Sequence, residues 1–211
     1  MKRLVVFGAT GGTGRALVEQ ALAAGHTVTA VARKPEAVAT RHPRLTVLAG
    51  DVLAPATLES AIAGHDAVLS ALGVHVRAPT TVCREGVANI LAAMARSGVR
   101  RIACVSASGL GDGSALSWPL RMFMLHILQP LLRHPYDDLR AMEATLRASD
   151  LDWTIVRPPR LTNGPRTDRL RCSIGEPLVG ATHISRADLA GFMLVRLDDP
   201  SLVRTTVEVA R

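Results

Sequence analysis

The sequence predicts a doubly wound α/β fold, a parallel sheet with helices on both faces. Apolar, β-branched runs recur along the chain, separated by stretches with helical periodicity. Several of these runs are almost continuously apolar, as strands covered on both faces must be. A glycine-rich turn joins the first run to the first helical pattern, the junction that opens such folds. The 211 residues suit one domain over 1–211, long enough to bury a sizeable core.

The first strand reads Leu4-Val5-Val6-Phe7. Gly8-Ala9-Thr10-Gly11-Gly12-Thr13-Gly14 follows, then the helical pattern Ala16, Leu17, Ala21, Leu22. Glycines carry no Cβ, so a pyrophosphate can approach the first N–H groups of the helix, where the macrodipole favours an anion. The spacing is G-x-x-G-x-x-G, one residue wider than G-x-G-x-x-G. Arg15 and Ala16 stand where a P-loop needs Lys and Ser or Thr, which excludes a kinase or ATPase site. The plain alternative is a glycine turn that only connects a strand to a helix.

The second strand, His26 to Ala32, ends in Arg33-Lys34-Pro35, with no acid between Gly25 and Lys34. An Asp or Glu at this distance from the glycines selects a ribose 2′-hydroxyl, whereas an Arg accommodates the 2′-phosphate of NADP. Arg33 and Lys34 therefore favour NADP(H), by a bidentate guanidinium contact and a second point charge. A solvated basic pair at a strand exit is the competing reading.

Leu45 to Leu48 forms the third strand and leads to Gly50-Asp51-Val52. A helical stretch from Pro55 to Ala63, a strand Ala67 to Ser70, a long helix from about Thr80 to Ser97 and a strand Arg101 to Ser106 complete the alternation. Ligands of such sheets sit beyond the carboxyl ends of the strands, so the residues just after each strand are the candidates. Asp51 can accept from an adenine amino group while Val52 packs on the ring, or Gly50-Asp51 can be a turn into a helix cap. Ala71, Leu72 and Gly73 are small where backbone passes a ribose. His75 and Arg77 lie in the same loop, where either can face a substrate, and exposed loop charges are the competing and favoured reading.

The last third forms a small substrate-side segment. Asp152 to Arg157 is a strand ended by Pro158 and Pro159, a rigid turn placed to wall the nicotinamide end. Ser185 and Asp188 read as a structural capping box. Thr205 to Val209 alternates as a closing strand. Trp118 to Leu132 is interrupted by Arg121, His126 and Pro130 and is shorter than a membrane span, so it reads as an amphipathic helix over a cleft or on a partner.

Composition limits the other readings. Cys83, Cys104 and Cys172 are scattered, and no His or Cys spacing suggests a disulfide framework or a metal. The opening Met1-Lys2-Arg3 leads straight into a short strand, so no signal peptide is expected, and a cytoplasmic protein, monomer or homodimer, is. The net charge of +7 raises nucleic-acid binding, but the arginines are dispersed and aromatics are 3%, so no sequence-specific reader of nucleic acid and no membrane partner is expected.

The glycine turn, Gly50-Asp51-Val52, Trp153-Thr154-Ile155-Val156-Arg157-Pro158-Pro159 and Ile184-Ser185-Arg186-Ala187-Asp188-Leu189-Ala190 resemble the atypical short-chain dehydrogenase/reductases. More narrowly, the chain is similar to the NAD(P)H-binding group of biliverdin-IXβ (flavin) reductase, and more distantly to NmrA-like regulators. The resemblance implies a cofactor site at Gly8, Thr10, Gly11, Gly12, Thr13, Gly14, Arg33, Lys34, Asp51, Val52, Ala71, Leu72, Gly73, Ser106 and Pro158. It implies that Ser106 orients the nicotinamide or a substrate oxygen. Typical members use a Tyr-x-x-x-Lys pair; here Tyr136 is followed four residues on by Arg140, which cannot shuttle a proton, and by two acids that oppose phenol ionisation. Arg160 stands where the flavin-reductase pattern has a histidine, so a cation faces the substrate region. The activity implied is an NADPH-dependent reduction of a conjugated small molecule such as a flavin, quinone or tetrapyrrole. A non-catalytic NADP(H) sensor and a carbonyl reductase or epimerase using Tyr136 are the alternatives.

Overall fold

The computed structural model describes residues 1–73, 78–111, 113–114 and 117–211. The chain runs through β1 (Arg3–Phe7), α1 (Gly12–Ala23), β2 (Thr27–Ala32), β3 (Leu45–Ala49), α2 (Leu58–Ile62), β4 (Ala67–Ser70), α3 (Val82–Ser97) and β5 (Arg101–Val105). It continues through α4 (Trp118–Phe123), a π-helical turn over Met124–Leu128, α5 (Gln129–Leu131), α6 (Arg133–Ala148), β6 (Asp152–Arg157) and β7 (Arg160–Thr162). β8 (Arg171–Ile174), β9 (His183–Ser185), α7 (Arg186–Val195) and β10 (Thr205–Ala210) close it.

Among the described residues, eight strands form one sheet in the order β3-β2-β1-β4-β5-β6-β10-β8, with β7 and β9 paired separately. Crossing from β3 to β4 through β1 reverses the direction of winding, which places the switch point at the end of β1. The doubly wound sheet is the one expected, with one departure: β8 runs antiparallel along β10. β8 is a largely exposed edge strand and carries no apolar run for the sequence to display.

The apolar strands alternate between two cores. Leu4 and Val6 pack with Leu17, Val18, Leu189 and Phe192 beneath α1 and α7. Val5 and Phe7 point the other way, onto Ile62, Val87, Ile90, Met142 and Leu146 of α2, α3 and α6. Period-two alternation with both faces covered is why these strands read as unbroken apolar runs. The 118–132 segment is helical from Trp118 to Leu131, with a π-helical turn over Met124–Leu128 inside it. Pro130 lacks the N–H that would reach the carbonyl one turn back, and the π-helical turn ends just before it. Phe123, Ile127 and Leu131 are exposed.

α3 is capped from a distance. Thr81, at its N-cap, makes no side-chain cap. Instead the carboxylate of Asp138 on α6, 2% exposed, accepts from Cys83 N–H at 2.9 Å and Arg84 N–H at 3.0 Å. Two charge-assisted bonds thus satisfy the helix start and clamp α6 to α3. Asp138→Ala is expected to lower stability by about 1–3 kcal/mol in urea unfolding, because it strands a buried and a part-buried N–H group. Asp137→Ala, which removes only an exposed pair with Arg140, should change it by less than about 0.5 kcal/mol.

Candidate functional site

The carboxyl ends of β1, β2, β4 and β5 open into a cleft of about 630 Å³. Its floor is the glycine turn. Gly8 has φ of +75°, and its carbonyl accepts the Gly11 N–H at 3.0 Å. A Cβ at Gly8 would lie 2.5 Å from the Ala71 carbonyl oxygen, and one at Gly14 would strike the Gly8 carbonyl. Both glycines are therefore required by close approach of the chain to itself, which seats the start of α1 against the ends of β1 and β4. The first α-helical bond runs from Arg15 N–H to Gly11 C=O at 2.8 Å. The N–H groups of Gly12, Thr13 and Gly14 have no acceptor inside the helix, and no acid stands in its first turn. This donor set, the close-packed glycine floor and the cleft's size fit a bound dinucleotide.

Thr10, Gly11, Gly12 and Thr13 line the cleft beside Gly8, with Arg33 at the end of β2 and Asp51 and Val52 after β3. Ala71, Leu72 and Gly73 line it after β4, and Ser106 and Tyr136 close its far end. Gly14 lies beneath the turn, and Lys34, Pro158 and Arg160 lie outside the lining. Pro158 instead accepts the Ser108 N–H at 3.0 Å, fixing the loop after β5. Arg160 is exposed at the start of β7. His75 and Arg77 fall outside the described residues. Asp51 lines the cleft, and its Oδ1 accepts from Leu53 N–H at 3.0 Å in a local turn. Val52 is held by Asn89, whose side-chain amide donates to its carbonyl at 2.8 Å, and it fits over Gly86, where a Cβ would lie 2.8 Å from its methyl.

The chemistry at the far end is set by a carboxylate the sequence reading did not single out. Glu143 on α6 is 1% exposed. Ser106 Oγ donates to it at 2.6 Å, Arg157 Nε at 2.8 Å and Nη2 at 2.5 Å, and Arg147 at 2.8 Å. Burial works to raise its pKa, but the hydrogen bonds from Arg157, Ser106 and Arg147 prevail and hold the carboxyl below the usual range. The Ser106 proton is therefore committed to an anion, and the hydroxyl offers the cleft its lone pairs. It can accept a hydrogen bond from a carboxamide, but it is not free to donate one to a developing oxyanion.

Tyr136 is placed no better as an acid. Burial raises its pKa, and Arg140, which opposes the shift, is turned to Asp137 at 3.0 Å on the surface. The second neighbouring acid, Asp138, points at α3 rather than at the phenol, so desolvation takes the place of the acids expected to suppress ionisation. Its hydroxyl leans on the loop after β5, where a Cβ at Gly109 would strike it. Cys83 also lines the cleft, yet burial pushes its thiol far above neutral pH, and Cys104 in β5 is pushed up to about 12.

A second unforeseen feature is Arg186, the first residue of α7, which lines the cleft beside the glycine turn. The capping box around it is partly as expected: Ser185 Oγ accepts from Asp188 N–H at 2.9 Å. The Asp188 carboxylate, however, also accepts the N–H groups of Thr167 and Asp168, at 2.7 and 3.0 Å, and so ties the 163–170 loop to α7. Among the described residues, no group of three His, Cys, Asp or Glu is placed to hold a metal, and no helix is long and apolar enough to cross a membrane.

Because the folded pKa of Glu143 lies below its unfolded value of about 4.3, its contribution to stability is full above that pH and is lost as the pH falls through the folded value. Glu143→Gln should cost about 3 kcal/mol at pH 7, chiefly by leaving Arg157 underpaired. Urea titrations should show the gap between the two proteins closing below about pH 4. A gap that stays constant from pH 7 to 3 would contradict this account.

The comparisons with known proteins agree with the geometry. An uncharacterized chloroplastic protein of Arabidopsis thaliana is 31% identical over 182 residues, 79% of this chain, and the chain spans 61% of that relative's length. A short-chain dehydrogenase/reductase of Veillonella parvula in complex with NADP superposes with a TM-score of 0.79 at 24% identity, over 100% of this chain and 94% of the other. The anaerobillin reductase ChuY of Escherichia coli O157:H7 superposes with a TM-score of 0.77 at 22% identity, covering 99% and 96%. The fold is thus that of the short-chain dehydrogenase/reductases. A family model described as NAD(P)H-binding matches residues 8–200, the stretch from the glycine turn to beyond α7, and the chain belongs to that family.

Proposed function

We propose that this protein is an NADPH-dependent reductase of a conjugated small molecule of the flavin, quinone or tetrapyrrole type. The observation that carries the reading is the absence of a ready proton donor among the described residues at the inner end of the cleft. Ser106 donates its hydrogen bond to Glu143, and the Tyr136 phenol is held neutral by burial without a cation poised to activate it. A simple carbonyl needs a proton delivered to its oxygen as it is reduced, whereas a delocalised acceptor spreads the charge and takes a proton from water.

When bound, the reduced cofactor would supply a hydride. The chain's own part is positioning. Gly12 and Thr13 would receive the phosphates, and Asp51 with Val52 the adenine. Arg33 would meet the 2′-phosphate, and Ser106 would accept a hydrogen bond from the carboxamide and so fix the ring. Arg160 is exposed, outside the cleft, so an anionic substituent of the acceptor would meet it only at the surface.

Single-turnover oxidation of NADPH with FMN, quinones, biliverdin and simple ketones should show activity with the delocalised acceptors and none with the ketones. Equal, tight binding of both redox forms without turnover on any acceptor would instead identify a cofactor sensor. Tyr136→Phe should leave the rate within about threefold, since the phenol donates no proton; a loss of a hundredfold or more would restore it as the acid. Arg33→Gln should raise the Kd for NADPH about ten- to hundredfold and leave NADH unchanged, as one charge-assisted contact to phosphate is removed.

A further inference from the structure

We propose that Arg186 is the cation that holds the pyrophosphate of the bound dinucleotide, clamping it from α7 against the start of α1; this rests on the cofactor reading above. The glycine turn supplies N–H donors to the cleft at Gly12 and Thr13 but no side-chain charge, and Arg15, which takes the place of a P-loop lysine, does not line the cleft. Two phosphates brought to neutral N–H groups keep most of their charge uncompensated. Arg186 corrects this from α7. Its stem lies directly over Gly12: a Cβ there would sit 2.5 Å from Arg186 Cδ and 2.8 Å from Nε. The third helix-start glycine thus makes room for an arginine.

The guanidinium is oriented but not neutralised. Nη1 donates to the side-chain oxygen of Asn163 at 2.6 Å, and among the described residues Arg186 makes no ion pair with a carboxylate. One edge of the fork is therefore fixed by a neutral amide while the cation keeps donors for an anion. Its base is equally firm. Ser185 and Asp188 set the first turn of α7, and Asp188 holds the loop that carries Asn163. Among the described residues the cleft then has two arginines with separate duties, Arg33 at the end of β2 and Arg186 beside the helix start.

Calorimetric titration of the whole protein separates these duties with three ligands: NADP⁺, ADP-ribose 2′-phosphate and 2′-AMP. Arg186→Gln should weaken NADP⁺ and ADP-ribose 2′-phosphate alike, by roughly ten- to hundredfold, and leave 2′-AMP, which lacks the pyrophosphate, within twofold. Arg186→Lys should recover part of the loss and guards against a folding defect in the Gln variant. The parent's affinity for NADP⁺ should also fall more steeply with salt than that of Arg186→Gln. If Arg186→Gln and Arg186→Lys bind NADP⁺ within twofold of the parent, or lose 2′-AMP to the same degree, the proposal fails. A parent that binds none of the three ligands would instead remove the cofactor reading on which it stands.

Discussion

A carboxylate sealed from water must keep every donor it has, and Glu143 binds three elements together under that constraint. It sits on α6, takes the Ser106 hydroxyl at the end of β5, and takes the Arg157 guanidinium at the end of β6. Removing any one partner leaves charge in a medium that cannot solvate it. The far end of the cleft is rigid for this reason, and the same bonds that make it rigid fix what Ser106 can do. A serine locked as a donor to a buried anion positions a ring well and protonates a substrate badly.

The opposite end of the cleft depends on contacts of another kind. There the chain approaches itself so closely that side chains are excluded: Gly8 against Ala71, Gly14 against Gly8, Gly12 under the Arg186 stem. These contacts aim the first N–H groups of α1 outward and hold them beside a cation. One end is thus made by steric exclusion and the other by charge saturation. On the proposed reading, the two ends divide the labour: one receives the cofactor and the other orients it, and the acceptor supplies the rest of the chemistry.

Much of this cleft was legible in the sequence because its residues follow a local rule. Residues after each strand of a parallel sheet face the same edge, so Gly8, Arg33, Asp51, Ala71 and Ser106 could be marked from strand positions alone. Pro158 and Arg160 follow β6 in the same sense, yet the turn that the prolines impose carries them off the cleft wall. Glu143 and Arg186 were not legible. Each sits in a helix among ordinary charges, and nothing in the spacing separates a carboxylate facing two strand ends from one facing water. For Glu143 the only local cue is Arg147 four residues on, a pairing common on exposed helices.

By itself, then, the sequence determined the doubly wound sheet, the position of the nucleotide turn and the basic residue at the end of β2, since periodicity and glycine spacing are properties of neighbouring residues. The tertiary structure alone decided three other matters: the antiparallel edge of β8, the remote cap of α3 by Asp138, and the partners of Ser106 and Gly12. The reason is physical. Burial and pairing between residues 37 apart, as for Ser106 and Glu143, or 174 apart, as for Gly12 and Arg186, arise only when the chain closes on itself.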